Sequence, residues 1–186
     1  MSTQVEPLLT INDLDVMPDD GNRYEIIEGE LLVSRAPSLI HQTTSGNLFF
    51  SLKNYLSQNP IGQVWATPGI IFSEFDGVIP DIVFVSNDQR DEIASGERIT
   101  GAPDLVVEIV SPGAENARRD RIAKRQLYGR YGVKEYWVVD PYSRNVEVYV
   151  LEGQMLKLQA TYAESDELVS IVLPGFTCKV ENIFRS

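Results

Sequence analysis

Pro103-Asp104-Leu105-Val106-Val107-Glu108-Ile109-Val110-Ser111-Pro112 is an apolar run bounded by prolines, with two carboxylates inside it. Three valines and an isoleucine between turn signals predict a strand of a central sheet. Side chains alternate faces along a strand, so Leu105, Val107 and Ile109 share one face, and Asp104, Val106, Glu108 and Val110 share the other. Glu108 is therefore flanked by valines. An ionised carboxylate buried there is costly unless paired, or its pKa is forced upward. A cation, a metal or a hydrogen-bond donor is expected beside it.

Upstream, residues 78–85 read as the preceding strand, with Asp81 near its start. If 81–85 and 104–110 pair antiparallel, the start of the first lies beside the end of the second. That brings Asp81 to Glu108 and leaves Asp104 at the far end. At about 3.3 Å per residue, Asp104 and Glu108 are roughly 13 Å apart, too far to share one ion. Downstream, residues 116 to about 131 predict a helix ended by Gly132 at its C′ position. Lys124 precedes Leu127, Tyr128 and Tyr131 at helical spacing and so lies on the apolar side. It must snorkel or reach a carboxylate, and a helix packing back on the sheet aims it at Glu108. Arg118, Arg121 and Arg125 can point to solvent.

The remaining elements frame this centre. Thr10 and Asp13 form a capping-box pattern for a short helix to about Met17. Residues 24–27 and 31–33 flank Glu28-Gly29-Glu30 as a hairpin. From 38 to about 58, Leu48, Leu52, Tyr55 and Leu56 mark an amphipathic helix whose stripe reaches back to Ser45 and His41. Short strands are expected at 64–66 and 69–72, and a polar excursion with room for one helical turn at 86–102. A second buried strand at 134–140, a hairpin of 146–150 with 155–159, and a last strand at 168–173 follow. The fold class is α/β, a central mixed sheet flanked by helices with additional hairpins. One domain spans 1–186, with about 20 residues of N-terminal extension.

Composition narrows the chemistry. A 43% apolar and 23% charged chain is that of a globular protein. Cys178 alone excludes an internal disulfide and a cysteine-based zinc site, and His41 alone excludes a histidine-rich one. Any metal is held by oxygen, which favours magnesium, calcium or manganese. The net charge of −11 argues against a protein that coats nucleic acid. Even so, seven of the 16 basic residues fall between 118 and 134, opposed there by Asp120 alone. No membrane-length apolar run or leader pattern is present, so a cytoplasmic location is expected.

Pro80-Asp81, Glu108-x-Val110, Asp120-x-x-x-Lys124 and Gly132-Val133-Lys134-Glu135-Tyr136-Trp137-Val138-Val139-Asp140-Pro141 resemble one bacterial family. It is the family of putative restriction endonucleases once filed as a domain of unknown function, similar in fold to the PD-(D/E)XK nucleases. The similarity runs from about Tyr24 to Phe184, and Gly-Val-x-Glu-Tyr-Trp is its more specific marker. The resemblance implies a restriction-endonuclease-like core in which Asp81 and Glu108, with the backbone carbonyl of Ile109, hold Mg²⁺ or Mn²⁺. It gives the catalytic lysine role to Lys124. The superfamily pattern would put that lysine at Val110, so the resemblance implies its relocation to the following helix. Glu25 and Glu28 are candidates for an added N-terminal carboxylate. His41 is a satisfied polar residue or a base, and Asp104 a strand-end residue or a minor member of the site.

The expected activity is metal-dependent hydrolysis of phosphodiester bonds in nucleic acid, DNA foremost. Arg118, Arg119, Arg121 and Arg125 would contact the phosphate backbone. A homodimer is expected, because two sites most readily cut both strands. Two readings compete: a catalytically silent nuclease-fold module for binding or oligomerisation, and a hydrolase of small phosphoesters.

Overall fold

The computed structural model describes residues 8–113 and 119–185, with 119 and 120 described in their backbone only. In chain order, Ile11–Leu14 (α1) is followed by the hairpin Arg23–Ile27 (β1) and Glu30–Ser34 (β2) and the long helix Leu39–Gln58 (α2). Next come Gly62–Ala66 (β3), Ile70–Ser73 (β4), Asp76–Val78 (β5), Ile82–Ser86 (β6), Asn87–Ile93 (α3), Ile99–Thr100 (β7) and Leu105–Ile109 (β8). A π-helical turn, Arg119–Lys124, runs into Arg125–Tyr131 (α4). Glu135–Asp140 (β9), Asn145–Glu152 (β10), Met155–Ala163 (β11), Glu167–Val169 (β12), Thr177–Lys179 (β13) and Val180–Ile183 (α5) complete the order.

The strands β11-β10-β9-β8-β6-β3 form the large sheet and β2-β1-β5-β4-β7 the small one. Within the large sheet β8 and β9 are parallel and the other pairs antiparallel, so the sheet is mixed. The alternation read from the valine-rich run is what divides the core. Leu105, Val107 and Ile109 pack with Leu48, Leu52 and Leu56 of α2. Val106 and Val110 pack on the opposite side with Leu127 and Tyr128 of α4 and with Ile70 and Val78 of the small sheet. The large sheet is thus covered by α2 on one face and by α4 with the small sheet on the other.

Several elements depart from expectation for identifiable reasons. The continuous apolar run 78–85 is two strands in different sheets, broken at Pro80, which has no N–H to give a ladder. The excursion 86–102 contains a seven-residue helix and a short strand instead of a single turn. The last predicted strand stops at Val169, because Ser170 and the amides of Ile171 and Val172 turn to the carboxylate of Glu135. Thr10 and Asp13 do cap α1, with the Thr10 N–H donating to Asp13 Oδ2 at 2.7 Å. Gly132 closes α4 with φ 91°, the left-handed C′ conformation that glycine adopts without penalty.

Candidate active site

The pairing of β6 with β8 builds the site. Ile82 lies opposite Val107 and Phe84 opposite Leu105, so one step back along β6 and one forward along β8 set Asp81 beside Glu108. Asp81 Oδ2 accepts the Ile109 N–H at 2.8 Å. The break at Pro80 places Asp81 where the chain crosses from the small sheet to the large one. Arg23 of β1 donates to Asp81 Oδ1 at 3.1 Å, and His41 Nε2 of α2 lies 3.1 Å from Oδ2. Burial pushes the Asp81 carboxyl up, but the hydrogen bond and charge of His41, the Ile109 amide and the Lys124 charge outweigh it. The group is held below its ordinary value of 3.8.

Glu108 faces α4, as its place between Val106 and Val110 requires. Its Oε1 accepts from Lys124 Nζ at 2.9 Å and from the Tyr128 hydroxyl at 2.7 Å. Lys124 and Tyr128 are four residues apart and so stand one above the other on the helix. The lysine is the last residue of the π turn, a local widening that re-aims side chains and recurs at functional sites. Lys124 Nζ also reaches Glu25 Oε1 at 3.0 Å, and that oxygen accepts the Ile79 N–H at 2.8 Å. Burial, then the charge of Glu108, raises the Tyr128 phenol well above 10, so it remains a donor. Asp81, Glu108, Glu25 and Lys124 are each at least 96% buried.

These groups line a cavity of about 30 Å³, together with Ile109, Arg35 and Ser111. That is roughly one water's share of the liquid. Three carboxylates meet three permanent cations there: Arg23 and Lys124 pair with them and Arg35 lines the cavity, while His41 is charged only if protonated. His41 Nδ1 is buried without a hydrogen-bond partner among the described residues. Among the described residues no three His, Cys, Asp or Glu side chains stand together as a ready-made metal cage. Mg²⁺ does not need one: it keeps most of its water and is bound through one or two carboxylates plus substrate phosphate. An all-oxygen donor pair and a cavity of single-ion size fit that ion.

Of the other candidates, Glu25 and His41 join the cluster. Glu28 does not: it is exposed and pairs with Arg130. Asp104 is at the far end of β8, where it accepts the Ser86 N–H at 2.7 Å and also binds Gln89 and Lys134, tying down the start of α3. Arg121 is bound by Asp140 and Glu147, each at 2.9 Å, instead of pointing freely to solvent. Arg125 rests over the Tyr149 ring, 5.1 Å from its centroid. Arg118 and the side chain of Arg119 lie outside the described residues. Sequence reasoning missed Arg23, although Arg23 and Glu25 are two apart in β1 and so share a face. It also counted Tyr128 as apolar, overlooking its hydroxyl.

The model of one protein family, "Uma2: Putative restriction endonuclease", matches residues 11–181. The chain belongs to the Uma2 family. The crystal structure of "a putative nuclease belonging to DUF820" from Anabaena variabilis is similar to it with a TM-score of 0.76 and 17% sequence identity. That likeness covers 95% of this chain and 97% of the other, and establishes a shared nuclease-like fold. No curated protein matches the chain. The Uma2 match spans every residue of the cluster, from Arg23 to Tyr128.

Proposed function

We propose that this chain is a divalent-metal-dependent endonuclease that hydrolyses phosphodiester bonds of DNA. One observation carries the reading: Asp81 and Glu108 converge at the strand ends on an ion-sized cavity, with a buried lysine bridging Glu108 to Glu25. Membership of the Uma2 family supports nucleic acid as the substrate.

Asp81, Glu108 and the backbone of Ile109 would hold Mg²⁺, or Mn²⁺ in its place. The ion, when bound, polarises a phosphoryl oxygen and lowers the pKa of its water. Lys124 is held by two carboxylates, which keep its amino group in place to stabilise negative charge developing on the phosphate. Glu25 positions that ammonium. Tyr128 fixes the Glu108 carboxylate by donating to the same oxygen as Lys124. Arg23 and Lys124 neutralise the carboxylates before an ion enters. A homodimer would carry a second such site for the opposite strand.

Titration calorimetry of Mg²⁺ and Mn²⁺ into wild type, Asp81→Ala and Glu108→Ala tests this, followed by nicking of supercoiled plasmid with the same proteins and Lys124→Ala. The expected result is loss of ion binding and cutting together in the carboxylate variants, and of cutting alone in Lys124→Ala. A wild type that binds no divalent ion at millimolar concentration and nicks nothing makes the catalytically silent module the correct reading.

A further inference from the structure

The ion-sized cavity has a larger neighbour. A second cavity, of about 280 Å³, shares two lining residues with it, Arg23 and Ile79. Pockets that take small organic groups start at roughly 300 Å³. Its walls are mostly apolar: Leu14 and Met17 from the N-terminal segment face Ile70, Ile71 and Val78 of the small sheet. Two arginines are among its lining residues. Arg23, whose side chain is 26% exposed, bonds Asp81, and Arg98, 48% exposed, pairs with Asp15 at 3.2 Å.

A phosphodiester held at Asp81 and Glu108 carries a nucleoside on each side. The 30 Å³ cavity has no room for either. The neighbouring space beside Arg23 does, and its chemistry suits a nucleobase: apolar walls for the ring faces and planar cations that stack on π systems and attract the polyanion. We infer that this cavity, between α1 and the small sheet, receives an unstacked base next to the scissile phosphate, so that the substrate is single-stranded or locally unpaired nucleic acid. The inference rests on the nuclease reading. A base inside a duplex stack cannot enter without being flipped out, which costs unstacking energy. Two copies would then act on the two strands of a locally opened duplex.

The test is equilibrium binding by fluorescence polarisation, with Ca²⁺ replacing Mg²⁺. The probes are labelled oligothymidine, the same strand made abasic throughout, and a duplex of equal length. Two variants fill the cavity. A side chain begun at Gly69 meets only the Arg98 stem, at 3.5 and 3.7 Å, so Gly69→Leu extends into the space without a clash at its root. Met17→Trp fills it from the facing segment.

Wild type is expected to bind the single strand about tenfold tighter than duplex or the abasic strand, within the range of one stacked base. Each filled variant loses about tenfold on the single strand and nothing on the other two probes. Equal binding of single strand and duplex by wild type, full affinity of either folded variant, or a change of oligomeric mass on filling would overturn the inference. The abasic comparison needs no variant and decides the matter even if both fail to fold. Cleavage with Mg²⁺ is read separately: a single-strand preference with no cleavage of any probe would defeat the nuclease reading and leave the base cavity standing.

Discussion

Glu108 and Glu135 lie on neighbouring parallel strands, both buried, and they are neutralised by opposite means. Glu108 faces α4 and meets an ammonium and a phenol. Glu135 faces the other side with Trp137 and, among the described residues, takes neutral donors only. The Trp137 indole donates at 2.6 Å to one oxygen, and the Ser170 hydroxyl and the amides of Ile171 and Val172 donate at 2.9–3.1 Å to the other. Fixed neutral dipoles saturate Glu135 and tie the 170–172 loop to the sheet, leaving it nothing to offer an ion. A carboxylate compensated by a lysine at the edge of a cavity can exchange that cation for another. The cost of burying a charge therefore identifies both residues, and only the kind of compensation separates a candidate site from a structural clamp.

The difference is largest in activity. Glu108→Gln should lower the plasmid nicking rate by about 100-fold or more, since it removes a carboxylate charge from the proposed ion site. Glu135→Gln, assayed at equal folded fraction, should stay within a few-fold of wild type. Equal losses would mean that the contrast between the two glutamates is not functional.

Stability should rank them the other way. Glu135→Ala strands four donors under the loop, and guanidinium unfolding should show a loss of about 3–5 kcal/mol at unchanged m-value. Glu108→Ala leaves Lys124 its partner Glu25 and strands chiefly the Tyr128 hydroxyl, so about 1–3 kcal/mol is expected. A larger loss for Glu108 would make it the main clamp.

Acid titration of stability in EDTA contrasts Glu135 with Asp81. Burial raises the Glu135 carboxyl above its ordinary 4.5, outweighing its four hydrogen bonds, so its contribution is complete below that value and is lost as pH rises through the folded-state pKa. Asp81 is held below its ordinary 3.8, so its contribution is present above that value and is lost as pH falls through the folded-state pKa. Glu135→Gln should remove the decline on the upper side, and Asp81→Asn the decline on the lower side. Unchanged slopes in either variant would show that its carboxyl is not shifted as described.

The parts of this arrangement that local pattern encodes were legible. Two apolar runs in the right order gave the antiparallel pair that joins Asp81 to Glu108, and one helical stripe gave Lys124. Spacing alone placed α2, with Ser38 at its N-cap. What failed to show depends on distant partners. The burial argument that singles out Glu108 applies equally to Glu135, but three of its four donors come from 35 to 37 residues later, in a stretch that reads as strand. Arg23 reaches a carboxylate 58 residues away, which no spacing announces. The split of 78–85 between two sheets is a tertiary choice, with Pro80 its one local sign. The basic stretch was read correctly in sign, yet Asp140, Glu147 and Tyr149 in the adjoining strands engage Arg121 and Arg125.

That last point extends the comparison from carboxylates to cations, where the expected effects are smallest. Arg121 is half-buried between two carboxylates, so phosphate contact would require breaking bonds it already has. Arg35 lines the ion-sized cavity, is exposed, and makes no ion pair among the described residues. A cation already committed within the protein has few counterions to displace from nucleic acid, whereas an uncommitted one contributes fully to the salt dependence of binding. Arg35→Ala should therefore reduce the slope of log affinity against log salt by about 1, with a uniform loss across sequences. Arg121→Ala should leave the slope unchanged and cost only the ~0.2–1 kcal/mol of stability typical of a partly exposed ion pair. If Arg121→Ala carries the change in slope instead, the helix between Glu108 and β9 is the strand-binding face, and its ion pairs open when nucleic acid arrives.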